Sequence, residues 1–308
     1  IIPASRKKEI LNLLDDAEDV SFSRPSNPPA GGIKWGIPVP GDDAQTMYVW
    51  ADALTNYITA LGYEENSDKF KKYWPADVHL VGKDIVRFHA MIWPAMLLSA
   101  GLPLPKAIYV HGFINVEGEK MSKTVGNVID PFVLADKYGV EPVRYFLLRE
   151  ISSTEDGDFS YKKLEERYNG DLANGLGNLV QRVITLIDSK LNGELIFKKD
   201  LIGKQVEEKI NLAFKKYGLN VESFILHEAA GNLWELIGFA DKYMDEKAPW
   251  AAIKHDEKEF LEIMTNLTYI LYNVTWMLLP FMPETADKIF EIFGADKNAD
   301  ALENYRFI

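Results

Sequence analysis

The chain has 308 residues, enough for two domains that each bury a core of their own. An apolar fraction of 47% and an aromatic fraction of 12% are those of a folded protein, and the absence of cysteine excludes both a disulfide framework and a thiolate zinc site. A net charge of -12 argues against broad electrostatic binding of nucleic acid, although a local basic strip and stacking on unpaired bases remain open to it.

Ile1 is not methionine, and Ile1-Ile2-Pro3-Ala4-Ser5-Arg6 reads as interior sequence, in which no leader can be sought. The spacing predicts a short helix over Arg6 to Leu14 with Ile10, Leu11 and Leu14 on one side. Prolines and glycines between residues 20 and 46 predict irregular loop. Met47 to Trp50 reads as a short buried strand leading into a helix at Ala51 to Leu61. Val78 to Val81 is a second strand, followed by a helix from Ile85 to Ala100 with Pro94 inside it. Ile108 to Val116 is a third. Strand–helix alternation predicts a parallel sheet with helices on its faces, and ligands bind such sheets beyond the carboxyl ends of the strands. Trp50, Asp52, Asp84 and His89 fall at or just after those ends.

Helical patterns resume from Asp130 to Glu150, and Ser152 to Asp158 is a polar connector. Beyond it, Tyr161, Leu164, Tyr168, Leu172, Leu176, Leu179, Val183 and Leu186 recur every three or four residues as an apolar stripe. Similar periodicity over Glu222 to Asp245 and Glu257 to Met277 predicts a helical bundle, with Trp234 and Trp276 in its core. The apolar stretch from Ile270 to Met282 is too short to span a membrane and is broken by Asn273 and Pro280.

Within this frame, Lys120-Met121-Ser122-Lys123-Thr124 follows the turn Glu117-Gly118-Glu119 and precedes Gly126. Glycine on both sides lets the loop move, and two ammonium groups on it suit the charge that shifts between phosphates in a transition state. The bland alternative is an exposed lysine pair on a hairpin. Trp50 offers a flat apolar wall, and Tyr57 lies two turns further along the same helix. With His89 they can enclose an unbranched, polarisable side chain such as a thioether, or simply pack. Asp52 can attract an ammonium group. Gly82 lets backbone approach a sugar, and Asp84 either accepts two ribose hydroxyls or caps the helix at Ile85. Asn174, Asn178 and Arg182, spaced by four, span about 80° of a helix surface and face away from the leucine stripe. They can read the edges of unstacked bases, or form a solvated face with Arg182 paired to Asp188 or Glu194. Trp250, after Ala248-Pro249, is either a stacking platform or a lid on the bundle core.

The lysine loop, with Gly126-Asn127-Val128-Ile129-Asp130-Pro131 after it, resembles the KMSKS signature of class I aminoacyl-tRNA synthetases, with threonine in last place. Tyr48 to Tyr57, Val81 to His89 and Ala248-Pro249-Trp250 are similar to stretches of the methionyl family, in the family's order. The resemblance implies an α/β fold, the C-terminal half of a Rossmann-like nucleotide-binding domain, followed by an all-α bundle. Residues 1–30 would end an inserted connective segment, 31–150 would carry the catalytic half with the KMSKS-type loop and stem-contact region, and 151–308 would bind the anticodon. It implies ATP-dependent activation of methionine to methionyl-adenylate and transfer to tRNA(Met), with ATP and Mg2+ as the substrate complex, no metal resident in this chain, a cytoplasmic location and no membrane partner. Lys120 and Lys123 would be catalytic, and Gly82, Asp84, His111, Gly112, Ser122 and Thr124 would join them at ATP. Trp50, Asp52, Ala53, Tyr57, Ile85 and His89 would line the methionine pocket. Asn174, Asn178, Arg182 and Trp250 would read the anticodon, the indole stacking on its first base.

One departure matters. The family's second signature, HIGH, is absent, since the five histidines stand at 79, 89, 111, 227 and 255. The first half of the nucleotide fold and the usual zinc-bearing insertion are therefore expected outside this chain, which alone would be inactive. Two rivals stand beside this reading: a class I synthetase for valine, leucine or isoleucine, and a non-catalytic tRNA-binding paralogue. Ala248-Pro249-Trp250 and the Asn/Asn/Arg ridge speak against the first. The missing HIGH region favours the second, while Lys120, Lys123, Asp84 and Trp50 oppose it.

Overall fold

The computed structural model describes residues 1–26, 35–122, 124, 126–294 and the backbone of 306–307. The backbone divides into two compact units, Ile1–Gly112 and Phe113–Ile308.

The first unit opens with helix α1 (Ala4–Asp15), which buries Ile10 but leaves Leu11 and Leu14 exposed, so the expected three-residue apolar side is one residue wide. The stretch expected as irregular loop contains a three-stranded antiparallel sheet instead: β1 (Ser23–Pro25), β2 (Pro38–Val39) and β3 (Asp42–Met47), in the order β1-β3-β2. Both prolines sit on edge strands, where a missing ladder donor is tolerated. Helix α2 (Val49–Thr59) follows at once. The apolar run from Met47 to Trp50 is thus a strand end and a helix start, because Ala51, Leu54 and Ile58 bury at helical spacing while Val49 is 61% exposed. Helix α3 (Asp68–Tyr73) leads to β4 (His79–Gly82).

The long helix expected after β4 is a 3-10 turn (Lys83–Ile85), a π-helical segment (Phe88–Ile92) and helix α4 (Trp93–Ser99). Pro94 explains the break: it has no N–H to donate, and the preceding turn widens so that the Trp93 N–H reaches the Phe88 carbonyl five residues back. Strand β5 (Ile108–His111) pairs parallel with β4, His79 opposite Ile108 and Gly82 opposite His111, giving a strand–helix–strand crossover. Ile2 bridges to Tyr109 on the other side of β5. The core is Leu54, Ile58, Trp74, Phe88, Trp93 and Leu97, with a smaller cluster of Ile10, Val81, Val86, Ile108 and Val110 on the sheet.

The expected strand from Ile108 to Val116 stops at His111. In the second unit, β6 (Ile114–Val116) forms a hairpin with β7 (Glu119–Lys120), and both turn residues, Glu117 and Gly118, have positive φ (51° and 81°). This is the turn twist that suits paired strands. Helices α5 (Pro131–Tyr138) and α6 (Val140–Glu150) cross over to β8 (Gly157–Phe159), which pairs parallel with β6. Strand β8 lies at the end of the expected polar connector. It escapes the apolar pattern because of its three residues only Phe159 is buried.

Helix α7 (Tyr161–Arg167) continues through a π-helical segment (Tyr168–Gly177) into α8 (Asn178–Leu191). Strand β9 (Leu195–Ile196) is followed by α9 (Lys204–Glu222), α10 (Leu226–Lys247), α11 (Pro249–Ala252), α12 (Glu257–Leu278) and α13 (Pro283–Ile292), and β10 (Arg306–Phe307) pairs with β9. Helix α12 is buried nearly all round, and its buried Thr265, Thr275 and Asn266 close on backbone: the Asn266 amide donates to the carbonyls of Leu201 and Glu262 and accepts from the Gly203 N–H. Trp234 and Trp276 are half-buried, packed on Tyr145 and Phe290 at ring-centre distances of 4.3 and 5.3 Å. Glu141 of α6 accepts from the N–H groups of Glu284 and Thr285 at the start of α13, and Arg144 donates to the carbonyls of Pro280 and Phe281. A helix start far along the chain is thereby capped from α6.

Candidate functional site

In the first unit, one helix face and one strand end supply the chemistry. Trp50, Ala53 and Tyr57 fall at i, i+3 and i+7 on α2 and so share a face. The Trp50 ring stacks on Phe88 at 4.1 Å with the planes 10° apart, and His89 meets Trp50 edge-on at 5.9 Å. The Tyr57 hydroxyl lies 2.9 Å from His89 Nε2, and His89 Nδ1 lies 3.0 Å from the Ile85 carbonyl. A carbonyl only accepts, so Nδ1 carries a proton, and in the neutral imidazole Nε2 then accepts from the Tyr57 hydroxyl. Burial raises the Tyr57 pKa, which keeps that hydroxyl a donor. The result is an aromatic wall in which the Tyr57 and His89 polar atoms are already paired, fit for an apolar, polarisable side chain. Asp52 lies exposed in the first turn of α2.

Phe88 and the pair behind the wall, His79 and Trp93, were not singled out from the sequence. Phe88 carries only the hint of being next to His89. Trp93 donates from Nε1 to His79 Nε2 at 3.2 Å, and the Tyr57 ring lies 4.3 Å from that imidazole. Burial, and secondarily the charge of His89, push the His79 pKa down from 6.5 to about 4. The folded state therefore refuses a proton that the unfolded chain accepts. His79 contributes its full stability above pH 6.5 and loses it as the pH falls towards about 4. Urea unfolding at pH 7 and pH 5 checks this: the first unit loses stability on acidification, and His79→Gln flattens that loss.

Gly82, Asp84, His111 and Gly112 gather at the carboxyl ends of β4 and β5. The helical turn after β4 has Gly82 at its cap position with no side-chain cap, so Asp84 does not cap a helix at Ile85. A Cβ on Gly82 would lie 2.9 Å from Asp84 Oδ1 and 3.7 Å from His111 Cε1, so a side chain here would push the Asp84 carboxylate aside and narrow this edge. The His111 Nδ1–H donates to the Gly112 carbonyl at 2.8 Å. Of the residues expected at parallel strand ends, Trp50 and Asp52 are not there, because the strand before them is β3 of the antiparallel sheet.

In the second unit, Lys120 ends β7, with Nζ 5.6 Å from the Phe113 ring centre. Ser122 and Thr124 follow, and Lys123 lies outside the described residues. Further along, Asn174 and Asn178 are exposed, but Asn174 sits in the π-helical segment, so the 100° step that set the expected arc does not apply between them. Arg182 pairs with Asp245 at 2.7 Å and Asp241 at 3.8 Å, not with Asp188 or Glu194. Its guanidinium lies 5.7 Å from the ring of Trp250, which is 44% exposed on α11. Ala248, with φ 42°, turns the chain into Pro249 and aims this short helix. The tryptophan is a partly open platform rather than a buried lid.

The profile described as "tRNA synthetases class I (M)" matches residues 5–184, and that of the "Anticodon-binding domain of tRNA ligase" matches 203–306. The chain belongs to the methionyl class I aminoacyl-tRNA synthetase family. Methionine–tRNA ligase of Caldanaerobacter subterraneus is 44% identical over 100% of this chain and 48% of its own length, and that of Brucella suis is 42% identical over 98% and 59%. A Mycobacterium tuberculosis methionyl-tRNA synthetase solved with methionyl-adenylate superposes with a TM-score of 0.86 at 37% identity, covering 96% of this chain and 58% of that one. The chain spans about half the length of the curated relatives it matches. Its fold is accordingly the Rossmann-like domain of a class I synthetase followed by a helical anticodon-binding domain. Among the described residues of this synthetase chain, no helix is long and apolar enough to cross a membrane, and no group of three or more acidic or histidine side chains is arranged to hold a metal ion.

Proposed function

We propose that this chain supplies the methionine pocket wall, the ribose edge, the phosphate loop and the anticodon-reading surface of a methionine–tRNA ligase. Residues 1–30, 31–150 and 151–308 end the inserted segment, form the catalytic half and form the anticodon domain. The observation that carries this best is the Trp50–Phe88–His89–Tyr57 wall, built by α2 and the segment after β4, together with the open Gly82–Asp84–His111 edge in the same compact unit. Trp50, Ala53, Tyr57, Ile85 and His89 take the thioether side chain, and Asp52 the α-ammonium group. Asp84 holds the ribose, with Gly82, His111 and Gly112 beside the nucleotide. Lys120, Ser122, Lys123 and Thr124 contact the phosphates of ATP, which enters with Mg2+.

A methionine carboxylate oxygen bonds to the α-phosphorus, the bond to the β-phosphate bridging oxygen breaks, and pyrophosphate leaves. The tRNA 3′-terminal hydroxyl then attacks the methionyl carbonyl, giving the ester and AMP. No covalent nucleophile from the chain is required, and positioning and charge stabilisation carry the rate. Asn174, Asn178, Arg182 and Trp250 read the anticodon. The test is binding of the chain to tRNA(Met) and to the same tRNA altered at the first base of its CAU anticodon. Strong loss on alteration supports the assignment, and equal binding contradicts it.

A further inference from the structure

We propose that Asn127 is a positioning residue that fixes the backbone of Lys120, an inference that rests on Lys120 contacting phosphate. The Asn127 side chain reaches back across its own loop. Its Oδ1 accepts from the Ser122 N–H at 2.8 Å, and its Nδ2 donates to the Lys120 carbonyl at 3.2 Å. The amide orientation follows from the partners, since an N–H needs the oxygen and a carbonyl needs the nitrogen.

The clip joins two anchored ends. On one side, Lys120 is paired with Asn115 in the β6–β7 hairpin. On the other, Ile129 packs against the cluster of Leu134, Val143, Phe146, Phe159 and Leu164, and Asp130 caps α5 by accepting from the Phe132 N–H at 2.8 Å. Between them the chain folds on Ser122, whose carbonyl accepts from the Gly126 N–H at 3.0 Å and whose hydroxyl accepts from the Thr124 N–H at 3.2 Å. Gly126 has φ 78°, the left-handed conformation that closes this turn. The lysine is thus delivered from a preformed backbone, and only its side chain has to be ordered when phosphate binds. Glycines flanking a lysine motif predict a freely moving loop; the Asn127 clip holds the Lys120 end of it.

The test uses the 308-residue chain with inorganic tripolyphosphate as probe, in wild type, Asn127→Ala, Asn127→Asp and Lys120→Ala. Affinity is read by calorimetry, trypsin cleavage of the Lys120–Met121 bond by mass spectrometry, and thermal midpoint alongside. Asn127→Ala leaves net charge unchanged, so a pure charge effect cannot move its affinity. The expected result for it is about 5-fold faster cleavage and about 2- to 10-fold weaker binding, with an unchanged thermal midpoint and unchanged tRNA affinity. Asn127→Asp keeps the acceptor for Ser122 but opposes the Lys120 carbonyl with a carboxylate, and is expected to cleave as fast as the alanine variant. Unchanged cleavage and affinity in Asn127→Ala, with loss in Lys120→Ala, would overturn the clip and leave the phosphate role standing. Unchanged affinity in Lys120→Ala would overturn the phosphate role itself, and the inference with it.

Discussion

Lys120→Ala is expected to lower methionine-dependent ATP–pyrophosphate exchange by about 100- to 1,000-fold, the usual cost of removing one group aimed at transition-state charge. The chain covers 48% of the Caldanaerobacter relative, so in this assay it is preceded by that relative's amino-terminal residues. Lys120 is exposed at the end of a two-stranded hairpin, its backbone held and its ammonium free to swing from the Phe113 ring. On the proposed role its contact with the phosphates strengthens as charge moves onto the leaving pyrophosphate, so kcat is expected to fall while the KM for methionine stays within about two-fold. Lys123→Ala is expected to behave alike, on the strength of the motif. A rise in the KM for methionine with kcat unchanged would place Lys120 in ground-state binding and contradict the assignment.

Trp250→Ala is expected to weaken tRNA(Met) binding by about 1–3 kcal/mol, roughly 5- to 150-fold, the range for a base stacked on an aromatic side chain. The indole is 44% exposed, so its removal costs the fold little. The variant should also lose the ability to distinguish tRNA(Met) from the first-base variant, because the same ring makes the stack. Arg182→Ala should act in the same direction, since its guanidinium is held by Asp245 and Asp241 beside that ring. Gel-shift titration of wild type and variants at fixed salt reads both effects. Discrimination retained in Trp250→Ala would move anticodon reading elsewhere on the bundle.

What the sequence revealed follows from how far each signal reaches. Helices α10 and α12 are long, and their apolar residues recur over several turns, so one-dimensional periodicity suffices. Strands β4 and β5 are short apolar runs with a helix between them, and that order implies a parallel pair. The polar strands β1 to β3 are held by pairing with one another, which no local pattern announces. Strand β8 is three residues long with one buried side chain. At the site, Trp50, Tyr57, His89 and Asp84 stood out by residue type and motif. Phe88 and Trp93 did not, because an aromatic residue at helical spacing looks like core until its ring partners are known, and His79 lies on strand β4 with its partner Trp93 fourteen residues away. Asn127 was visible only as part of a motif. Its work is a backbone clip across seven residues of chain, which needs the loop's closure to be seen.

The most direct test of the central claim is amino-acid-dependent ATP–pyrophosphate exchange by the chain joined to those amino-terminal residues. Each of methionine, valine, leucine and isoleucine is offered in turn. Exchange with methionine and none above background with the branched side chains is the expected result, because the wall of Trp50, Phe88, Tyr57 and His89 suits an unbranched thioether. Exchange with a branched amino acid, or none with any of the four, would contradict it.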